Sequence, residues 1–143
     1  MTQENKELLL KDLCARLPYG VKIEHTDSCI IGTLNNLTTY RLYDGDNIKD
    51  IYSAIDIFGD GNCIRVEYFR PYLFPLSSMT EELKNFIRWK LTTPKYDSFD
   101  EESLEDLFNN NMQVVQFCYE HHLDINGLIE KRLALDATGL NIY

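Results

Sequence analysis

At 143 residues and 44% apolar side chains, the chain is long enough for one domain with a real core. Its 23 acidic against 14 basic side chains leave a net charge of −9, which argues against a nucleic-acid phosphate backbone or an anionic membrane surface as partner. No stretch reaches membrane-spanning length, and the polar residues 1–7 lead only into Leu8, Leu9 and Leu10, too short a run for a secretory core; a cytoplasmic protein is expected.

In chain order, Glu4 to Leu17 reads as a helix. Leu10, Leu13, Cys14 and Leu17 give the apolar stripe, with Lys6, Glu7, Lys11 and Asp12 facing out. Pro18 ends it and Tyr19-Gly20 turns the chain. Val21 to His25 alternates as a half-buried strand, Thr26-Asp27-Ser28 turns, and Cys29 to Leu34 is a second strand. Asn35-Asn36 then suits a hairpin into Thr38 to Tyr43. The turn Asp44 to Asn47 leads to a strand over Ile51 to Phe58, and Gly59 to Asn62 makes a tight hairpin with Cys63 to Phe69. Pro71 and Pro75 bracket Tyr72, Leu73 and Phe74; a proline lacks the amide a central ladder needs, so pairing should fade there.

Ser78 followed by Glu81 matches a capping box for a helix from about Met79 to Thr92, with Leu83, Phe86, Ile87 and Leu91 on one face and Thr93-Pro94 as the stop. Residues 96–102 read as a polar loop, Ser103 to Phe108 as a short helix, and Met112 to His122 as another. The face of that last helix should carry Met112, Val115, Cys118, Tyr119 and His122. Asn126 is expected to cap a final short helix through Arg132, before an apolar close at Leu140, Ile142 and Tyr143 that should dock on the body. The fold expected is a single α+β domain. An N-terminal helix precedes an antiparallel meander of about four or five strands, open or curled into a small barrel, and three or four helices follow.

Three segments, LCARLPYGVK (13–22), RPYLFPLSSMTEE (70–82) and GLIEKRLALDATGLNIY (127–143), resemble signatures of a group of small proteins found in Bacteroides-type gut bacteria, their phages and mobile elements. The resemblance implies a bacterial or phage origin. It brings no activity, cofactor or site residue with it.

The four cysteines, Cys14, Cys29, Cys63 and Cys118, are widely spaced without a C-x-x-C; they are expected as reduced thiols, mostly small buried hydrophobes. Cys118, His121 and His122 are close enough on one helix to hold zinc or to pair a thiol with an imidazole. A further ligand, from His25, Cys14 or Cys29, would have to come from folding. The plainer reading makes Cys118 core and the two histidines a helix end that favours the dipole. Asp44, Asp46, Asn47 and Asp50 do not fit a calcium loop, because Ile48 takes a ligand position, and Gly59-Asp60-Gly61 is not a phosphate loop.

The densest charge runs through Asp97, Asp100, Glu101, Glu102, Glu105 and Asp106, and residues 76–143 carry net −6 against −3 for residues 1–75. Phe99, Leu104, Leu107 and Phe108 interleave with these carboxylates. Phe99, Glu101, Glu102, Leu104, Glu105, Asp106 and Phe108 are therefore the candidate face for a basic protein partner, or an acidic imitation of DNA. Tyr40, Tyr43, Tyr52, Tyr68, Phe69 and Tyr72 could stack bases if exposed, but the surrounding acidity favours core packing. The function expected is a non-enzymatic accessory protein that binds another protein, without a cofactor. The alternatives are a small metal-dependent or thiol enzyme using Cys118, His121 or His122, and a nucleic-acid-binding or DNA-mimicking protein.

Overall fold

Helix α1, Gln3–Arg16, begins where the Thr2 hydroxyl accepts the Asn5 amide at 3.2 Å. Its buried stripe is Leu9, Asp12, Leu13 and Arg16, one turn apart on one face. This corrects the expectation for Asp12, which is fully buried, and for Cys14, which is exposed. The correction has a physical cause: Asp12 and Arg16 are an i, i+4 pair that neutralise each other, so both enter the interior together. A 3-10 turn over Leu17–Tyr19 follows, and Gly20 at φ +63° reverses the chain in a conformation that favours glycine. The computed structural model describes residues 1–55, 63–91 and 112–143.

Among the described residues seven strands form two sheets. They are β1 (Lys22–His25), β2 (Ile31–Thr33), β3 (Leu37–Asp44), β4 (Asn47–Ile55), β5 (Ile64–Arg65), β6 (Phe69–Leu73) and β7 (Leu135–Asp136). The first sheet has the order β2-β1-β6-β7 and the second β3-β4-β5. A single antiparallel meander, or a barrel, is thus corrected to two open sheets, the first mixed because β7 runs parallel to β6. The expected hairpin across Asn35-Asn36 is also corrected, since β2 and β3 lie in different sheets. Leu34 explains the break: it is buried, and its amide still bonds the Val21 carbonyl, so the chain stays with β1 until Leu34 and only then departs.

The hairpin between β3 and β4 does form at Asp44–Asn47. The return strand expected over 63–69 is divided. β5 pairs with β4, a 3-10 turn over Val66–Tyr68 buries Val66, and β6 crosses to the first sheet. The turn expected at 59–62 lies outside the described residues.

Pro71 is the sharpest departure, because it stands inside β6 with β1 on one side and β7 on the other. The ladder alternation resolves it. Thr26 donates to the Tyr68 carbonyl, so on β6 the even-numbered residues exchange hydrogen bonds with β1 and Pro71, opposite Ile23, does not. Its nitrogen is turned to the β7 side, before β7 begins pairing at Tyr72.

Helix α2 spans Glu81–Leu91 and α3 spans Met112–Glu120. The cap of α2 is Thr80, whose hydroxyl accepts the Leu83 amide at 3.3 Å, rather than Ser78, which sits in a 3-10 turn and donates to the Pro75 carbonyl at 2.7 Å. On α3, Val114 and Cys118 are buried while Met112 is 81% exposed, so the inward face is rotated from the one expected. No helix forms over 126–132. Asp124 takes the capping role assigned to Asn126, accepting the amides of Leu128 and Ile129 at 2.8 Å each. The short helix expected over 103–108 lies outside the described residues.

Two apolar clusters form among the described residues. Leu9, Leu13, Ile23, Leu34, Ile55, Val66, Phe69, Leu73 and Leu128 join α1 to both sheets. Met79, Ile87, Val114, Cys118 and Leu123 join α2 to α3. Of the cysteines, all free, only Cys118 is buried; Cys14 and Cys29 are exposed and Cys63 is half-buried, against the expectation that most are core. The aromatic set divides too: Phe69 and Tyr72 are buried, whereas Tyr43 and Tyr68 are exposed. Among the described residues no helix is long and apolar enough to cross a membrane.

Candidate functional site

The end of α3 builds a polar junction against α1. His122 has φ +55°, the left-handed conformation that commonly ends a helix. Its amide bonds Tyr119 O at 3.1 Å, and the Leu123 amide reaches back to Cys118 O at 2.8 Å. That is a Schellman close with histidine where glycine is usual, and Leu123 and Cys118 supply its apolar contact. The reversed chain then pairs with the end of β6: Phe74 donates to His122 O and Asp124 donates to Phe74 O, at 2.9 and 2.8 Å.

Arg16 enters this corner from α1. Its Nε donates to Asp12 Oδ2 at 2.6 Å, and its Nη2 donates to Asp12 Oδ1 at 3.1 Å and to Leu123 O at 2.7 Å. The guanidinium carbon lies 4.9 Å from the centre of the Tyr119 ring. Asn126 completes the group, donating through Nδ2 to Asp12 Oδ1 at 2.8 Å and to the Tyr119 hydroxyl at 3.3 Å. Arg16 Nη1 and His122 Nδ1 are both buried with no partner among the described residues.

Tyr143 closes the corner. Its ring stacks on His122 with centroids 4.1 Å apart and leans on Phe74 at 5.7 Å. Its hydroxyl donates to Tyr72 O at 2.5 Å and accepts the Lys22 amide at 3.2 Å. The three segments that carry the sequence resemblance meet here, through Lys22, Tyr72 and Phe74, and Tyr143.

The titration behaviour suits holding rather than proton transfer. Burial pushes the Cys118 thiol up to about 12 even though Arg16 pulls it down. Burial, then the positive charge of Arg16, pushes the His122 imidazole down to about 4. Burial also raises the Tyr143 phenol to about 12. All three are uncharged near neutrality, whereas general acid–base work wants a pKa close to the working pH.

The residues singled out in the sequence are not drawn into one constellation. Cys118 is packed in the α2–α3 cluster. His121 stacks on Phe117 at 4.0 Å, with Nδ1 3.0 Å from Phe117 O at the helix end. His122 turns to Tyr143 instead. His25 is clasped in the β1–β2 turn, where Nδ1 lies 3.2 Å from the Ser28 amide and 3.0 Å from its hydroxyl. Among the described residues no group of three or more histidine, cysteine, aspartate or glutamate side chains is placed to hold a metal ion. The acidic candidates Phe99, Glu101, Glu102, Leu104, Glu105, Asp106 and Phe108 lie outside the described residues.

Sequence reasoning missed Arg16 and Asp124, placed Asp12 on the outside and gave Asn126 a different role, while the expected docking of Tyr143 on the body is seen. One signal was present, the four-residue spacing of Asp12 and Arg16, but it reads equally well as a surface pair.

A second feature is the outer edge of the β3–β4 sheet. β3 ends the sheet order, is eight residues long, and is paired only with β4 among the described strands. Residues 41–47 are all exposed, including Leu42 at 42% and Tyr43 at 59%. Set against protein-family models, curated proteins and solved structures, the chain matches none of them.

Proposed function

We propose that the chain is a non-enzymatic accessory protein that acts by binding another protein, in the bacterial or phage setting its sequence resemblance implies. The observation that carries this reading is β3. An eight-residue edge strand with exposed Leu42 and Tyr43 is a liability that folded proteins usually shorten, cover or charge. With no described strand on its outer side, and alongside the exposed Arg41 and the register shift between Leu42 and Tyr43, it offers main-chain donors and acceptors to an extended segment, which adds as a further strand. The net charge of −9 and the exposed Asp44 and Asp46 at the hairpin tip favour a basic segment.

The uncharged states of Cys118 and His122 count against the thiol-enzyme alternative. The acidic balance counts against the nucleic-acid alternative. The test is affinity capture from a bacterial lysate with the natural chain and with Leu42→Lys and Tyr43→Lys. Both side chains are exposed, so the variants should fold. A partner retained by the natural chain and lost by the variants is expected. A natural chain that captures nothing reproducible and elutes as a monomer overturns the function, and equal capture by all three overturns the assignment to β3.

A further inference from the structure

The Tyr143 hydroxyl occupies the place of a sheet hydrogen bond. The β1–β6 register runs His25–Phe69, Glu24–Arg70, Ile23–Pro71. One step further sets Lys22 against Tyr72, and the alternation fixed by Thr26 and Tyr68 makes that pair a hydrogen-bonded one. Instead, the Lys22 amide donates to the phenol oxygen and the phenol donates to the Tyr72 carbonyl. One hydroxyl thus takes both ends of a ladder bond, and the sheet opens around it.

The surroundings of that hydroxyl are specific. Its donor and acceptor are main-chain groups, the amide of the first residue of β1 and a carbonyl of β6. The ring is walled by His122 and Phe74. The phenol keeps its proton across ordinary pH, and burial raises it further, to about 12. The segment that delivers the ring, residues 140–143, has no regular structure, and Leu140 and Tyr143 remain 47% and 44% exposed.

We propose that the slot formed by Lys22, Tyr72, Phe74 and His122 is a recognition site for a tyrosine side chain, filled by Tyr143 of the same chain and open to a tyrosine from outside once Tyr143 withdraws. The hydroxyl gives the selectivity. A phenylalanine would fill the wall but leave the Lys22 amide and Tyr72 carbonyl unpaired, which lowers affinity about tenfold or more. The slot lies apart from the β3 edge in the sequence and in the sheets, so each can fail without the other.

The experiment uses the full chain carrying Tyr143→Ala, with N-acetyltyrosinamide as the probe and the Lys22 amide resonance as the readout. A saturable shift is expected, with N-acetylphenylalaninamide at least about tenfold weaker and the natural chain unresponsive over the same range. A peptide of sequence LNIY should bind as well as or better than the free probe. No saturable shift in a variant with the native far-UV spectrum overturns the proposal, as does equal binding of the two probes. If Tyr143→Ala is unfolded alone, recovery of its far-UV signal on adding the tyrosine probe supports the proposal, and no recovery overturns it. In the full-chain variant Tyr143→Phe the ring is kept and the hydroxyl removed, so measurable displacement by the tyrosine probe is expected there too; a Phe variant as closed as the natural chain overturns the role of the hydroxyl.

Discussion

Changing Asp12 to alanine strands Arg16 in the interior. Both side chains are fully buried, and Asp12 accepts two of the three hydrogen bonds Arg16 makes, at 2.6 and 3.1 Å. With Asp12 gone, the guanidinium keeps the Leu123 carbonyl at 2.7 Å and the Tyr119 ring, and Asn126 loses an acceptor as well. Breaking one partner of a buried pair destabilises by about 3–5 kcal/mol, because the remaining charge is left without compensation. With a urea slope of about 1–3 kcal/mol per molar, the unfolding midpoint should fall by roughly 1–5 M.

The double variant Asp12→Leu/Arg16→Met removes both charges while filling similar volume. It should recover most of the loss, within about 1.5 kcal/mol of the natural chain. The assay is urea unfolding followed by far-UV circular dichroism on the natural chain, Asp12→Leu, Arg16→Met and the double variant, with Asp12→Ala measured beside them. An Asp12→Ala loss below about 1 kcal/mol, or a double variant as unstable as the sum of its singles, would refute the reasoning.

Three further outcomes are expected. His122 is held neutral with its pKa lowered from 6.5 to about 4. The unfolded chain therefore binds more protons in that window, and stability present above pH 6.5 should drain away as pH falls toward 4. Because part of the ring meets solvent, the loss should be about 1–2 kcal/mol rather than the full shift, and His122→Gln should abolish this component of the pH–stability curve. Asp124→Ala removes the acceptor of the Leu128 and Ile129 amides, the first of them buried, and should lower stability by about 2–4 kcal/mol in chemical unfolding; a loss below about 1 kcal/mol would deny it the capping role. Iodoacetamide followed by mass spectrometry should modify exposed Cys29 first, Cys14 more slowly because burial raises its thiol, and Cys118 only under denaturant; early labelling of Cys118 would contradict its burial.

Local chemistry was readable where a residue acts on its own neighbours. Leu13 announces α1, although Leu10, Cys14 and Leu17 of the expected stripe are not on its buried face; the turn residues Asp44 to Asn47 announce the β3–β4 hairpin, and Leu83 and Ile87 announce α2. Long-range pairing was not readable. Pro71 looks like the end of a ladder, and only the register opposite Ile23 shows that its missing amide is not required there. Leu135 and Asp136 are too few to declare a strand, and they become one because the open side of β6 accepts them. Ser78 and Thr80 are both plausible caps by type, and packing of the 3-10 turn before α2 selects Thr80. For the junction, the helix spacing of Cys118, His121 and His122 drew attention to the right corner, where His122 stands, but not to Arg16 and its partners. The Arg16 centre depends on contacts across more than a hundred residues, such as Asn126 to Asp12, which no local pattern encodes.

The position of β6 has a bearing on how the chain reaches this state. Its partners come from residues 23–25 on one side and 135–136 on the other, so half of its pairing waits on a segment made some sixty residues later. Loop-closure entropy must be met before such distant contacts return anything, and slow folding in the millisecond-to-second range is typical of such wiring. A ribosome-bound chain halted before residue 135 would carry β6 with its β7 side bare, and splitting the protein anywhere between 74 and 134 would leave neither fragment with a whole first sheet.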